Sequence, residues 1–223
     1  MKSIVLMGLF VLLLVAVQFA RGKTVDEIIE KNIQARGGFD KPDEIKSIYM
    51  EGIITMMGNT NFVKIYQVQN DLSPLGFDMQ WHLTDEKNTL IESAPLTSNV
   101  ELFNAAVAGI QTEPFITKPL LNYVGNGSQA VLALKEVVNG NDCYRIKLST
   151  KTGSEINYWF NASSSLLSQS LVNDMDQKKT IRSLYSNHKS VDGFFLAHTI
   201  EVIFAGVNEN DPVKISIHKI EIT

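Results

Sequence analysis

Val25, Ile28, Ile29 and Ile33 fall at the three-to-four spacing of one helical stripe, with Glu30, Lys31, Gln34 and Arg36 on the opposite side. Thr24-Val-Asp-Glu27 has the pattern of a capping box, in which the Thr24 hydroxyl and the Glu27 carboxylate each satisfy an otherwise orphan backbone N–H. Gly37-Gly38 supplies the stop. The spacing therefore predicts one amphipathic helix, and its stripe must lie on something apolar.

From Ile45 the period drops to two, the signature of strands with one buried face. Phe77, Met79, Trp81 and Leu83 alternate with Asp78, Gln80 and His82, and the same beat recurs at Tyr144, Ile146 and Leu148, at Ile200, Val202 and Phe204, and at Val213, Ile215 and Ile217. Turn chemistry at Gly58-Asn59, Asn139-Gly140, Thr152-Gly153, Asp192-Gly193 and residues 208–212 separates these segments. Strands of about 7 to 11 residues joined by short turns predict a meander in which sequence neighbours pair. The middle differs: Val100, Leu102, Phe103, Ala106, Val107 and Ile110 return to helical spacing, and residues 117–123 after Pro114 suit a second short helix. Residues 84–128 thus read as an insertion of loops and short helices between two runs of strands. Around ten strands and only two or three helices predict a mainly β fold, an antiparallel sheet with more apolar face than the helices cover. Such a sheet must curl, and a curled, incompletely plugged sheet leaves a cavity.

Composition changes this picture little: 223 residues, 44% hydrophobic and 20% charged, is ordinary globular material. The N-terminus changes it more. Lys2, an uncharged apolar run over residues 4–17, and small residues at Ala20 and Gly22 have the layout of a secretory signal over residues 1–22, leaving 23–223 as a single domain. An uncleaved anchor is the alternative, although the run is shorter than the roughly 20 residues that span a bilayer. With no cysteine after that run there is no site for lipid attachment, so the expected product is periplasmic or extracellular without stable membrane insertion. Cleavage removes two basic residues and no acid, taking the formal charge from −4 to −6. This acidic balance argues against nucleic acid as a partner.

No catalytic constellation is visible. His82, His188, His198 and His218 have no metal-ligand spacing, and neither a G-x-S-x-G elbow nor a phosphate-binding loop occurs. His198 shares a strand face with Ile200 and Val202 and is either a buried base, with Ser186 or Ser216 as its nucleophile, or a core histidine satisfied by a backbone carbonyl. The lone Cys143 excludes an intramolecular disulfide and a cysteine zinc site, and it has no partner in sequence to make it a nucleophile. Asp174, Asp176 and the acids of residues 208–211 do not match a calcium loop and suit solvated hairpin ends. Asn126-Gly-Ser128 and Asn161-Ala-Ser163 are glycosylation sequons. Met50, Met56, Met57 and Met79 suit an adaptable apolar pocket as well as an ordinary core. No enzyme, metal or cofactor is expected.

Several stretches, in order, resemble one family. Residues 24–38 followed by 45–52 resemble the opening of periplasmic outer-membrane lipoprotein-sorting proteins, the LolA-like group related to LppX-type lipid carriers. Pro119-Leu-Leu-Asn-Tyr123 resembles that group's P-L-x-D-Y segment, Asn157-Tyr-Trp-Phe-Asn161 its Y-Y-x-D strand end, residues 191–198 its D-G-x-x-F-P-H segment, and residues 214–222 its closing strand. Asn122 and Asn161 replace acids of those patterns, Ala197 replaces a proline, and residues 70–115 match poorly. The resemblance implies a half-barrel of about eleven strongly curved antiparallel strands, closed on its concave side by helices. It also implies a cavity for acyl chains of a lipoprotein or lipid, with membrane-bound proteins that load or accept it. The candidate lining is Ile48, Met50 and Ile54 on the first strand, Phe77, Met79 and Trp81, and Phe103 and Val107 of the insertion. The reading from another class is a protein-interaction module with the same sheet and a filled core.

Overall fold

The computed structural model describes residues 23–38, 46–69, 77–84, 117–151, 153–174, 179–205 and 210–223. The signal segment expected over 1–22 and the helix expected over 99–110 lie outside the described residues.

Helix α1, Val25–Arg36, begins at the capping box: Glu27 N donates to Thr24 Oγ1 at 3.2 Å and Thr24 N donates to Glu27 Oε2 at 3.0 Å. It ends where Gly37 takes φ 130° and the Gly38 N–H donates to Ile33 O at 2.9 Å. Ile28, Ile29 and Ile33 are buried as the stripe predicts, and Asn32 is buried with them. Arg36 departs from the expectation, because its Nε and Nη1 are buried rather than turned to solvent. A second helix, α2, Thr117–Leu121, lies within the segment expected to form one.

The strands are β1 Ser47–Met56, β2 Asn59–Gln69, β3 Phe77–Thr84, β4 Gln129–Leu132, β5 Glu136–Val138, β6 Asn141–Ser149, β7 Glu155–Asn161, β8 Leu167–Asp174, β9 Lys179–Val191, β10 Phe194–Phe204 and β11 Val213–Ile222. The continuous path runs β3-β2-β1-β11-β10-β9-β8-β7-β6-β4, ten strands, and β5 pairs with β6 off this path. All pairings are antiparallel, and the sheet is open, with β3 and β4 at its ends.

Sequence neighbours pair through β1–β3 and again through β6–β11, which is the expected meander. Two joins depart from it. β1 pairs with β11, bringing opposite ends of the chain together, and β4 and β5 share one edge of β6, β4 along residues 146–149 and β5 along 141–143. The 13-residue β9, four-residue β4 and three-residue β5 also lie outside the expected 7 to 11. Met57-Gly58, Asn139-Gly140 and Asp192-Gly193 each have positive φ at both positions, the two-residue turn whose twist matches the flanking strands.

A bulge at Glu51/Gly52 shifts β1 against β11: Glu51 faces Lys219 and Gly52 faces Ile217, leaving His218 over. Glycine is required at this point, since a Cβ on residue 52 would sit 2.7 Å from Ser216 O.

Candidate functional site

The register generates one face that runs through the sheet. Ile54 of β1 is opposite Ile215 of β11, Ile215 is opposite Ile200 of β10, and Ile200 is opposite Tyr185 of β9. Directly opposed residues of an antiparallel pair share a face, so these four lie side by side, each no more than 4% exposed. β6 and β7 continue the face through Ile146, Leu148, Tyr158 and Phe160, all buried. Ile28, Ile29 and Ile33 of α1 and Leu120 of α2 join the same apolar cluster. α1 touches β10 and β4, so the strands between them, β9 to β6, lie within its span.

Ile48, Met50 and Ile54 all lie in this cluster, 1–2% exposed. Met50 is opposite Ile65 of β2 and Ile220 of β11, and Ile48 is opposite Gln67 and Ile222. On β3, Trp81 is opposite Ile65, Met79 opposite Gln67 and Phe77 opposite Gln69, which sets those backbone positions in register with the lining of β2. The side chains of Phe77, Met79 and Trp81 lie outside the described set, as do Phe103 and Val107 altogether.

His198 is a core histidine: it is 5% exposed and its Nδ1 donates to Leu196 O at 3.0 Å. Ser186 and Ser216 are both opposite Thr199, one residue out of phase with His198, so the register places neither beside it as a nucleophile. Burial, then the charges of Arg36 and His198, lower the His188 pKa from 6.5 to about 4, which keeps that ring neutral at neutral pH. Cys143 is fully buried beside Val138 and Trp159 in a separate small cluster, and burial pushes its thiol pKa up, against the thiolate a nucleophile needs. Trp159 Nε1 donates to Glu136 Oε2 at 2.8 Å, and Arg145 pairs with the same carboxylate at 2.7 Å.

Sequence reasoning missed the polar residues of the inner face: Gln67, Ser170 and Ser183 are all at most 2% exposed. The Ser170 hydroxyl hydrogen-bonds the Tyr185 hydroxyl at 3.1 Å. A cavity of about 310 Å³ lined by Leu171, Thr180, Arg182, Ile203, Ala205 and Asn210 opens on the opposite face and is separate from this region. Among the described residues no group of His, Cys, Asp and Glu is placed to hold a metal ion, and no helix is long and apolar enough to cross a membrane.

An open antiparallel sheet with an N-terminal helix against one face is the LolA-like fold, and solved structures agree. A DUF1329 family protein from Desulfovibrio piger superposes with TM-score 0.53 at 14% identity, covering 90% of this chain and 94% of that one. A LolA superfamily protein from Nitrosomonas europaea superposes with TM-score 0.51 at 13% identity, covering 91% and 94%. At these identities the likeness establishes the fold. No protein-family model matches the chain. No curated protein matches it either.

Proposed function

We propose that the protein is a secreted, periplasmic carrier that reversibly buries acyl chains of a lipoprotein or lipid between the inner face of a curved sheet and the helices that close it. The observation that carries this reading is the extent of the apolar face relative to α1. Ten strands are about 43 Å across, whereas α1, with 12 residues, is about 18 Å long and packs against β10 and β4. Ile48, Met50 and Ile54, already buried at 1–2% exposure, and the register positions of Phe77, Met79 and Trp81 suit an apolar cover that moves aside for the cargo. Phe103 and Val107 complete the proposed lining. Burying a chain of about sixteen carbons contributes roughly 12 kcal/mol before ordering costs, so binding needs no covalent step. Membrane-bound loading and accepting proteins would supply and remove the cargo.

The second reading, a protein-interaction module with a filled core, is favoured by the nearly complete burial of Ile48, Met50 and Ile54. Native mass spectrometry with organic extraction of the exported 23–223 protein separates the two. A carrier retains an acyl species that is lost in folded Met79→Asp or Trp81→Asp protein. Protein that is repeatedly empty and takes up no fluorescent fatty acid is the module.

A further inference from the structure

Edges of natural sheets are blunted with charge, because an exposed apolar edge invites association. The β4–β5 edge is built differently. Val131 of β4 and Val137 of β5 are 59% and 70% exposed, and Leu134, in the three-residue link between the two strands, is 87% exposed. Leu121 of α2 and Val124, which lead into β4, are exposed as well. Five of the nine large hydrophobic side chains exposed among the described residues thus fall within residues 121–137, a concentration that single scattered surface residues do not produce.

The same end of the sheet is basic within an acidic chain. Residues 117–151 hold five basic and two acidic side chains, a formal charge of +3, which leaves −7 for the rest. Arg145 pairs with Glu136, and Lys147 with Glu155. Lys23 and Lys135 instead converge on one ring: their Nζ atoms lie 4.3 and 4.8 Å from the centroid of Tyr144, and neither has an ion pair among the described residues. A hydrogen bond with Lys23, opposed by burial and aided by Lys135, holds the Tyr144 hydroxyl below its ordinary pKa. The acids in the first turn of α1 are engaged elsewhere, Asp26 by the Tyr123 hydroxyl at 3.2 Å and Glu27 by the cap. Lys135 directly follows Leu134, so a cation without a carboxylate partner and the most exposed of these aliphatic side chains share one link.

Aliphatic tips beside lysines fit a lipid surface better than a protein. Protein interfaces are enriched in aromatic residues, Met and Arg and depleted in Lys, whereas Leu and Val among lysines suit a segment that rests in the headgroup layer of an anionic bilayer. We infer that the β4–β5 edge, with Val131, Leu134, Val137 and Lys135 and with Lys23 beside it, is a docking surface for an anionic lipid bilayer. The aliphatic side chains enter the boundary between headgroups and acyl chains, and the ammonium groups meet lipid phosphates. The contact is peripheral and reversible, and it does not depend on what the inner face holds.

The test is co-sedimentation of the 23–223 protein with vesicles of phosphatidylcholine alone and of phosphatidylcholine mixed equally with phosphatidylglycerol. Binding is expected only to the anionic vesicles, and it weakens as salt rises from about 0.1 M to about 0.5 M and screens the phosphates. Lys135→Gln is expected to weaken it about fivefold, the yield of roughly one lysine at an anionic surface, and Leu134→Ser roughly tenfold. Met57→Ser, at a position 57% exposed in the β1–β2 turn, leaves binding unchanged. All three positions are exposed, so each variant keeps its fold, which circular dichroism checks. No binding to the anionic vesicles overturns the proposal, as does equal binding to both kinds of vesicle or binding that survives both Leu134→Ser and Lys135→Gln. Sedimentation velocity without lipid adds a further arm: a dimer that Leu134→Ser dissolves assigns the edge to a second copy of this chain and overturns the bilayer.

Discussion

At the scale of single residues, stability is coupled to pH through His188. Its pKa of about 4 in the folded protein lies below the ordinary 6.5, because burial and the nearby Arg36 and His198 disfavour the imidazolium. Above pH 6.5 both states are neutral there and the group contributes no slope. As pH falls from 6.5 toward 4 the unfolded chain takes up a proton that the folded one refuses, so stability drops by up to about 1.4 kcal/mol per pH unit. Urea denaturation at pH 7 and pH 5 is expected to show this loss in the native sequence and a smaller one in His188→Gln. The sequence allowed part of this to be read. His198 on the face of Ile200 and Val202 was legible as buried, because strand alternation decides it, while its bond to the Leu196 carbonyl settles between the two readings left open. Arg36 was not: spacing along one helix assigns it to solvent, and only the packing of α1 buries its guanidinium nitrogens.

At the scale of elements, two bulges mark where alternation stops being a guide. Trp159 is opposite Gln169 but Phe160 is opposite Leu167, so one extra residue enters β8 and the phase of the strand reverses. Leu167 and Ser170, of opposite parity, therefore both point inward and are buried, while counting by twos from Leu167 would have sent Ser170 out. Ser170, and with it the bond to the Tyr185 hydroxyl, was hidden from the sequence by that single insertion. The bulge at Glu51/Gly52 does the same to β11, where Val213, Ile215 and Ile217 precede it and Ile220 and Ile222 follow it out of phase. α1 was legible from cap to stop because its signals are local. Its seat on the sheet was not, for it depends on contacts such as Asn32 Nδ2 donating to Ser165 O at 2.8 Å, across 133 residues of sequence. Asn32→Leu deletes that donor and leaves a carbonyl to be satisfied by water, so denaturant titration should show a loss of about 1–2 kcal/mol. If α1 covers the carrier's cavity, stopped-flow uptake of a fluorescent acyl probe should become faster in the same variant, because the cover is less firmly held.

At the scale of the whole molecule, β11 is the strand on which the fold turns. It pairs with β10 on one side and β1 on the other, and so joins the β1–β3 hairpins to the β6–β10 meander. The backbone closure is explicit at the ends: Ser47 N donates to Thr223 O at 2.7 Å and Thr223 N donates to Ser47 O at 3.0 Å. The strand belongs to the inner face as well, since Val213, Ile215 and Ile217 are 0–5% exposed. Without it, Ile54, Ile200 and Val202 would face a gap about two strand spacings, or about 10 Å, wide. Pairing of strands so far apart in sequence must wait for most of the chain, and such non-local topologies fold slowly. Two outcomes follow from the same geometry. Refolding of the 23–223 protein should be on the millisecond-to-second scale or slower, with β1 protected from hydrogen exchange no earlier than β11. A chain ending at residue 212 should lose cooperative unfolding altogether and bind hydrophobic dye, because each half keeps its hairpins but loses the strand that lets their apolar faces form one surface. A truncated chain that still melts in one sharp transition would mean that β10 can pair with β1 directly, and that the inner face closes without β11.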